Sequence, residues 1–191
     1  MIDYKTFKKG YLNEWVDKSQ AARKAAEELA KREVRPSLRD LHKNDFNEEL
    51  VFTLDGHDVE FKGENEKNPD DPKYNFFTYE EAMERFGKPN KDGWRLPTEE
   101  ELHVLYYDYP YMFDKVSEQG VFDGRLYLPA MGLRGCSGNV IFVGSEGYYW
   151  SSTPEGSDNA WYLNLDSGGK VYMFGGSRCD GHSVRLVRDM K

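Results

Sequence analysis

The first regular pattern of apolar and polar positions predicts a helix over residues 17–34. Ala22, Ala26 and Leu29 fall on one face at helical spacing, and acidic and basic side chains follow one another at i,i+4 on the remaining surface. Pro36 ends the pattern, because the residue before a proline disfavours the helical conformation. The apolar stripe is thin and rich in alanine, so we expect this helix either to dock on a domain surface or to pair with a copy of itself.

Alternation of apolar and polar residues over 49–61 predicts a β-hairpin. The two alternating runs flank Asp55 and Gly56, a dipeptide that accepts the positive φ angles of a type I′ turn. The stretch that follows, 63–73, is polar and contains two prolines, which is typical of an exposed loop. Its acidic residues lack the ligand order, central glycine and terminal Glu of an EF-hand, so we expect a solvated loop and not a calcium site.

Two capping boxes predict two further helices. Thr78 and Thr98 are each followed three residues later by a glutamate that can reach back to the N-cap backbone, while the Thr hydroxyl accepts from the first turn. The first helix should end at Gly87 and the second before Pro110. Carboxylates in the first turn suit the helix dipole, so we expect these glutamates to be structural and not catalytic.

After Tyr111 the pattern changes to short β-like segments separated by turns. Thirteen of the 18 glycines lie between Gly120 and Gly181, interleaved with aromatic residues, which is typical of strands and tight loops. Helices followed by a glycine-rich β region indicate an α+β fold with an antiparallel sheet and not a βαβ repeat. The predicted strands are 125–128, 140–143, 148–152, 160–165, 170–174 and 183–187.

The amino-acid composition indicates that the chain folds and that it carries a net negative charge. Of 191 residues, 38% are hydrophobic and 15% aromatic, too many core-forming side chains for a disordered polymer. The net charge is -8, and it arises after residue 50, since the first 50 residues are nearly balanced. This charge argues against a nucleic-acid partner. No apolar run is long enough to cross a bilayer, so we expect no membrane insertion.

Neither export nor metal chemistry is signalled by the sequence. The N-terminus lacks the apolar segment of a secretory signal, so we expect a protein that is cytoplasmic as synthesised, with virion or surface association left open. Cys136 and Cys179 lie far apart without metal-ligand spacing, and in a reducing compartment we expect free thiols. The histidines lack such spacing too. We therefore expect no metal, no cofactor and no enzymatic activity.

Four motifs in a fixed order carry a resemblance to a known family. They are GWRLPT at 93–98, LPA at 128–130, GYYWSS at 147–152 and SVRLVR at 183–188. Their order and spacing over 74–189 resemble the C-type-lectin-fold domains of gut Bacteroidales, the Fibrobacter major paralogous domain family. More narrowly, they resemble the variable proteins of diversity-generating retroelements, the class that includes a phage tropism determinant.

The resemblance implies two parts of the chain. Residues 49–191 would form a C-type lectin-like ligand-binding domain with two helices, a small twisted antiparallel sheet and a loop-rich C-terminal half. Residues 1–48 would form a helical extension for attachment or for homo-oligomer formation. The motif residues Trp94, Leu96, Trp150 and Val184 are expected in the core, and Arg95, Arg134 and Arg185 are expected to tie loops together through their planar five-donor groups.

The resemblance also implies a ligand-binding face, calcium-independent because neither Glu-Pro-Asn nor Gln-Pro-Asp occurs in the chain. The partner would be a protein or a cell-surface ligand, met by rigid aromatics beside small polar residues as on a paratope. Whether single aromatics of this set fill the core instead is left open. The residues that would face the ligand are Cys136, Ser137, Ile141, Phe142, Tyr148, Trp161, Tyr172, Phe174, Gly175, Ser177, Cys179, Asp180 and His182.

Two other functions stay open beside ligand binding. A copper-using formylglycine-generating enzyme shares the broad fold and a G-x-RLPTE string, but its activity needs two cysteines close together. Cys136 and Cys179 would have to meet across loops to supply them. The other alternative is a structural module for the assembly of a phage or mobile element.

Overall fold

Residues 50–190 are described by the structure, a computed structural model, and they lie in one compact unit of the chain. Within them, two helices and eleven strands form, and every pair of strands is antiparallel, so the fold is α+β as predicted. The predicted helix over 17–34 and extension 1–48 fall outside the described residues. The elements are β1 (Val51–Leu54), β2 (His57–Phe61), α1 (Tyr79–Phe86), α2 (Glu99–Asp108), β3 (Tyr111–Asp114), β4 (Gln119–Phe122), β5 (Leu126–Pro129), β6 (Leu133–Arg134), β7 (Val140–Ile141), β8 (Glu146–Glu155), β9 (Asn159–Asp166), β10 (Val171–Ser177) and β11 (Val187–Asp189).

The predicted hairpin is confirmed in strands β1 and β2. Asp55 with φ 47° and Gly56 with φ 79° form its turn, and the two strands pair directly on both sides of it. On its other edge β2 pairs with β11, where Phe61 lies opposite Val187. The first and last described strands therefore belong to one sheet, in the order β1-β2-β11.

Both predicted helices are confirmed together with their capping boxes. The Thr78 hydroxyl accepts from the N–H of Glu81 at 3.3 Å, and the Glu81 carboxylate accepts from the N–H of Thr78 at 2.8 Å. Thr98 and Glu101 repeat this exchange at 3.1 and 2.7 Å. The four bonds satisfy backbone donors that the first helical turn leaves unpaired.

Strands β10, β9 and β8 form a three-stranded sheet in that order. A hydrophobic core cluster lies on each face of the sheet, and each cluster includes residues of one helix. Successive side chains of a strand point to opposite faces, so the register assigns each residue to a face. On the inner face, Tyr149, Leu163 and Leu165 pack in one core cluster with Leu102 and Leu105 of α2. Helix α2 therefore covers this face of the sheet.

The outer face of the same sheet packs partly against α1. Trp150 and Ala160 share a second core cluster with Tyr79 and Ala82 of that helix. Trp150 is fully buried, and its Nε1 donates to the carbonyl oxygen of Phe77 at 2.8 Å. Of the predicted core residues, Leu96, Trp150 and Val184 are buried and Trp94 is half-buried.

Arg185 ties three segments together, as the sequence led us to expect. Its guanidinium is buried and donates to Asn65 Oδ1 at 2.9 Å, to the Lys62 carbonyl oxygen at 3.0 Å and to the Tyr127 carbonyl oxygen at 3.1 Å. Neutral oxygens therefore satisfy a buried charge. The loop after β2 and strand β5 are fixed to the C-terminal segment by one side chain.

The strand predictions are wrong at two places. Residues 183–187 were predicted as one strand, but only Val187 lies in a strand. The preceding backbone divides its hydrogen bonds, since Ser183 pairs with β8 while Val184 and Leu186 accept from the loop at 62–66. In 140–143 the strand stops at Ile141, because the next residue has positive φ. Strands β3, β4 and β6 were not predicted.

Candidate functional site

A continuous series of aromatic rings crosses the outer face of the β8–β9–β10 sheet. The register places Tyr148 and Tyr172 in one row across the strands, and Tyr162 and Phe174 in the next row. Phe142, from the loop after β7, extends the series at the β8 edge. Consecutive ring centroids lie 6.4, 5.7, 6.3 and 5.4 Å apart in the order Phe142, Tyr148, Tyr162, Phe174, Tyr172. We call these five residues the aromatic face.

The aromatic face has two exposed phenylalanines joined through more buried tyrosines. Phe142 is 46% exposed and Phe174 is 47% exposed, whereas Tyr148 is 7% exposed. Ile141 and Val143, on either side of Phe142, are 45% and 53% exposed, so three consecutive apolar side chains meet solvent at one end. Contiguous apolar exposure on a folded domain is typical of an interaction site.

The backbone around Phe142 holds its ring in a set position. Phe142 has φ 63°, a conformation that bulky residues rarely adopt. Its carbonyl oxygen accepts three hydrogen bonds, from the N–H of Ser145 at 3.1 Å, the hydroxyl of Ser145 at 3.0 Å and the N–H of Glu146 at 3.0 Å. Gly132 lies against this loop with φ +73°, and a Cβ there would overlap the carbonyl oxygen of Ile141. These contacts fix the loop through its main chain.

The Glu146 carboxylate lies beside Tyr148. The Tyr148 hydroxyl donates to Glu146 Oε2 at 2.5 Å, and Asn164 Nδ2 donates to the same oxygen at 3.2 Å. Burial, then the hydrogen bond to Glu146 and its charge, raises the pKa of Tyr148 well above its usual value. Burial, then the charges of Asp180 and Glu146, raises the pKa of Tyr162. Both phenols therefore stay neutral at physiological pH beside these carboxylates.

His182 lies beneath the aromatic face and not on it, which corrects its predicted role as a ligand-facing residue. The imidazole is 1% exposed and stacks on Trp150 with centroids 3.9 Å apart. The rings of Tyr162 and Tyr148 lie 4.7 and 5.4 Å away. Its Nδ1 is buried without a hydrogen-bond partner in the described part of the chain. Burial lowers the pKa of His182 to about 3.

Cys136 and Cys179 form a disulfide, so the expectation of free thiols is wrong. The reason lies in the backbone: Arg134 and Gly181 exchange hydrogen bonds of 2.9 and 2.6 Å as an antiparallel bridge. Cys136 lies two residues after Arg134, and Cys179 lies two residues before Gly181. The antiparallel register therefore brings the two cysteines opposite each other, with Cα atoms 5.1 Å apart. Asp180 Oδ1 accepts from the N–H of Cys136 at 3.0 Å at the same place.

His57, Glu101 and Asp189 lie close enough together to be potential metal ligands. Arg95 pairs with both carboxylates of this group. Arg95 donates to Glu101 at 2.9 and 2.7 Å and to Asp189 at 2.6 Å. Although burial raises the pKa of Glu101, hydrogen bonds from Arg95 and from the backbone of Thr98 keep it below its usual value. The guanidinium supplies the positive charge that a metal would bring, so this group is an ion-pair network.

The predicted ligand-facing residues separate into four groups. Tyr148, Tyr172 and Phe174 lie on the outer face, with Phe142 beside them and Ile141 exposed at the end of β7, next to Phe142. Trp161 and Gly175 pair with each other on the opposite face of the sheet. His182 is buried. The remaining residues lie at or next to the disulfide, and they are Cys136, Ser137, Ser177, Cys179 and Asp180.

Three residues of this site were not predicted from the sequence. Tyr162 belongs to the aromatic face, and Glu146 and Asn164 form the hydrogen-bonded group among its rings. The missed signal is strand alternation. Tyr162 and Asn164 alternate with Leu163 and Leu165, and apolar residues at every second position indicate that the others face away from the core.

No family model, curated protein or solved structure matches this chain. Its class therefore rests on its own architecture: an α+β domain with a partly exposed aromatic face. Neither helix within residues 50–190 has the length and apolar character needed to span a membrane.

Proposed function

We propose that this protein is a non-enzymatic ligand-binding protein and that the aromatic face makes the contact. The main support for this proposal is the series of five neighbouring rings, in which Phe142 and Phe174 are exposed. Ile141 and Val143, on either side of Phe142, are exposed as well. Tyrosine and phenylalanine give large contact areas for little loss of side-chain entropy. The ligand is a protein or another cell-surface molecule.

A C-type lectin-like fold of the retroelement-diversified type accommodates this function. Two helices, small antiparallel sheets and a loop-rich stretch between β5 and β8 support that proposal. The outer residues Tyr172 and Phe174 of β10 alternate with residues of the inner core and belong to neither core cluster, so their side chains can change without replacing core residues. A frame of that kind suits a variable binding surface.

The binding proposal is tested by selecting peptides from a random-sequence display library on the full chain. Peptides that bind wild type should lose most of their affinity for Phe142→Ala and Phe174→Ala. Tyr107→Ala is the matched control, because Tyr107 is 66% exposed on α2, which packs on the inner face of the sheet. Selected peptides that bind both phenylalanine variants as well as wild type would contradict the proposal.

Diversification is tested at the encoding locus. We expect a nearby near-copy of the DNA for residues 134–185, differing mainly where the copy has adenine. The differences should fall on outward positions such as Tyr172 and Phe174 and spare core positions such as Leu163. A locus without such a copy would refute diversification and leave a binding protein with one fixed partner.

The meeting of Cys136 and Cys179 favours one alternative, an oxidase of the formylglycine-generating type. That activity needs two adjacent cysteines, and the fold brings these two together. As a disulfide the pair offers no thiolate, so copper could bind it only after reduction. Stoichiometric copper(I) binding by the reduced protein, lost in Cys136→Ser and accompanied by oxygen consumption with a thiol substrate, would support the oxidase.

A further inference from the structure

Two carboxylates near the aromatic face, Glu146 beside Tyr148 and Asp180 at the disulfide, form no ion pair with the described residues. Glu146 is half-buried, and its Oε2 accepts from Tyr148 and Asn164. Within residues 50–190 no Lys, Arg or His side chain forms an ion pair with Glu146 or Asp180. Ring faces themselves carry negative electrostatic potential. Rings and carboxylates together make this surface complementary to a positive charge.

Elsewhere in the fold, the same combination of ring and carboxylate is filled by an arginine. The Arg188 guanidinium lies 4.6 Å from the ring centroid of Trp94, while its Nε donates to Glu60 Oε2 at 2.7 Å. There the chain supplies its own cation. At the aromatic face the rings and Glu146 are present, and the positive group is missing from the described residues.

We infer that the aromatic face binds an arginine side chain of its protein ligand, with the guanidinium over the rings and paired with Glu146. This inference rests on the proposed function. A guanidinium is planar, weakly hydrated and able to stack on a ring while donating to a carboxylate, which a lysine ammonium cannot do in the same geometry. Burial raises the pKa of Tyr162 most, and the charges of Asp180 and Glu146 raise it further, which agrees with a negative potential at this surface.

The test compares a tripeptide that carries a guanidinium with one that carries a neutral group of the same shape. Acetyl-Gly-Arg-Gly-amide and its citrulline counterpart, a neutral isostere, are titrated into the full chain and followed by NMR shifts of its aromatic side chains. We expect saturable shifts at the aromatic face with the arginine tripeptide, and binding about tenfold weaker with citrulline. Added salt should weaken only the arginine tripeptide.

A charge-removing variant tests the role assigned to the carboxylate. Glu146→Gln keeps an oxygen that accepts from Tyr148 and Asn164, so the packing should survive while the arginine tripeptide binds no better than citrulline. Glu100→Gln is the control, since Glu100 is exposed on α2 and its loss changes the net charge equally. Asp180→Asn should weaken binding as well and serves as a second probe should Glu146→Gln alter the spectrum of the free protein.

Each other outcome counts against the inference. Equal affinities of the arginine and citrulline tripeptides, or no effect of either variant, would overturn it, as would the absence of saturable binding. A lysine tripeptide that binds as well as arginine would overturn the assignment of a guanidinium. None of these results decides the proposed function, because library peptides that lose affinity for Phe142→Ala would still establish binding by the aromatic face.

Discussion

His182 makes the stability of the domain depend on pH through a buried, uncharged imidazole. The side chain is 1% exposed, and it is enclosed by Trp150, Tyr148 and Tyr162. No hydrogen bond satisfies its Nδ1 within the described residues. Burial lowers its pKa to about 3, compared with about 6.5 in an unfolded chain.

The sign and size of the effect follow from those two values. Between about pH 6.5 and about pH 3 the unfolded chain binds a proton at His182 and the native chain does not, so the free energy of unfolding falls as the pH falls. The slope approaches about 1.4 kcal/mol for each pH unit. From pH 7 to pH 5 the free energy of unfolding should fall by about 2 kcal/mol. The whole free energy of unfolding of a typical domain is about 5–15 kcal/mol, so this loss is large enough to measure.

The assay is urea unfolding followed by tryptophan fluorescence at pH 7 and pH 5. His182→Phe keeps a ring beside Trp150 and removes the titrating group, so most of the difference between the two pH values should disappear. His182→Gln is the alternative if the larger ring is not accommodated, and His103→Gln, at an exposed position on α2, is the control. A wild-type protein equally stable at both pH values, or an unchanged pH dependence in both His182 variants, would refute the reasoning.

Four further substitutions test the packing. Trp150→Ala should lower the free energy of unfolding by about 3–5 kcal/mol in urea titrations, while Phe142→Ala, at an exposed ring, should change it by less than about 1 kcal/mol. Cys136→Ser should cost about 2–4 kcal/mol relative to the oxidised wild type, a difference that should vanish when both proteins are reduced. Gly132→Ala should displace the loop that carries Phe142, because its Cβ would overlap the Ile141 carbonyl oxygen, and NMR shifts of the Phe142 ring should report this.

Sequence reasoning succeeded where a few neighbouring residues decide the outcome. Asp55 and Gly56 provide two positive φ angles in succession, so the hairpin forms around them. Thr78 and Thr98 each exchange two hydrogen bonds with a glutamate three residues away, and these bonds set the helix starts. Local geometry of this kind is fully encoded within a single turn.

The errors arose where contacts between distant segments decide the outcome. Pairing of Cys136 with Cys179 depends on the bridge between Arg134 and Gly181, which separation along the chain does not reveal. The irregular backbone of 183–186 likewise follows from hydrogen bonds shared between β8 and the loop after β2. In both cases the pairing of two segments depends on tertiary contacts, and the residues of either segment alone do not determine its register.

Register also bears on which outward positions could vary. Phe174 lies opposite Tyr162 across the strands, and its neighbour Met173 packs against the inner cluster, so replacing Phe174 removes surface area and leaves the core in place. Gly176 differs, because a Cβ there would press on the ring of Tyr162. A variable surface on this sheet would therefore change Phe174 and Tyr172 while keeping Gly176. Any diversified copies of this chain should obey that division, since a side chain at Gly176 would move a ring of the aromatic face itself.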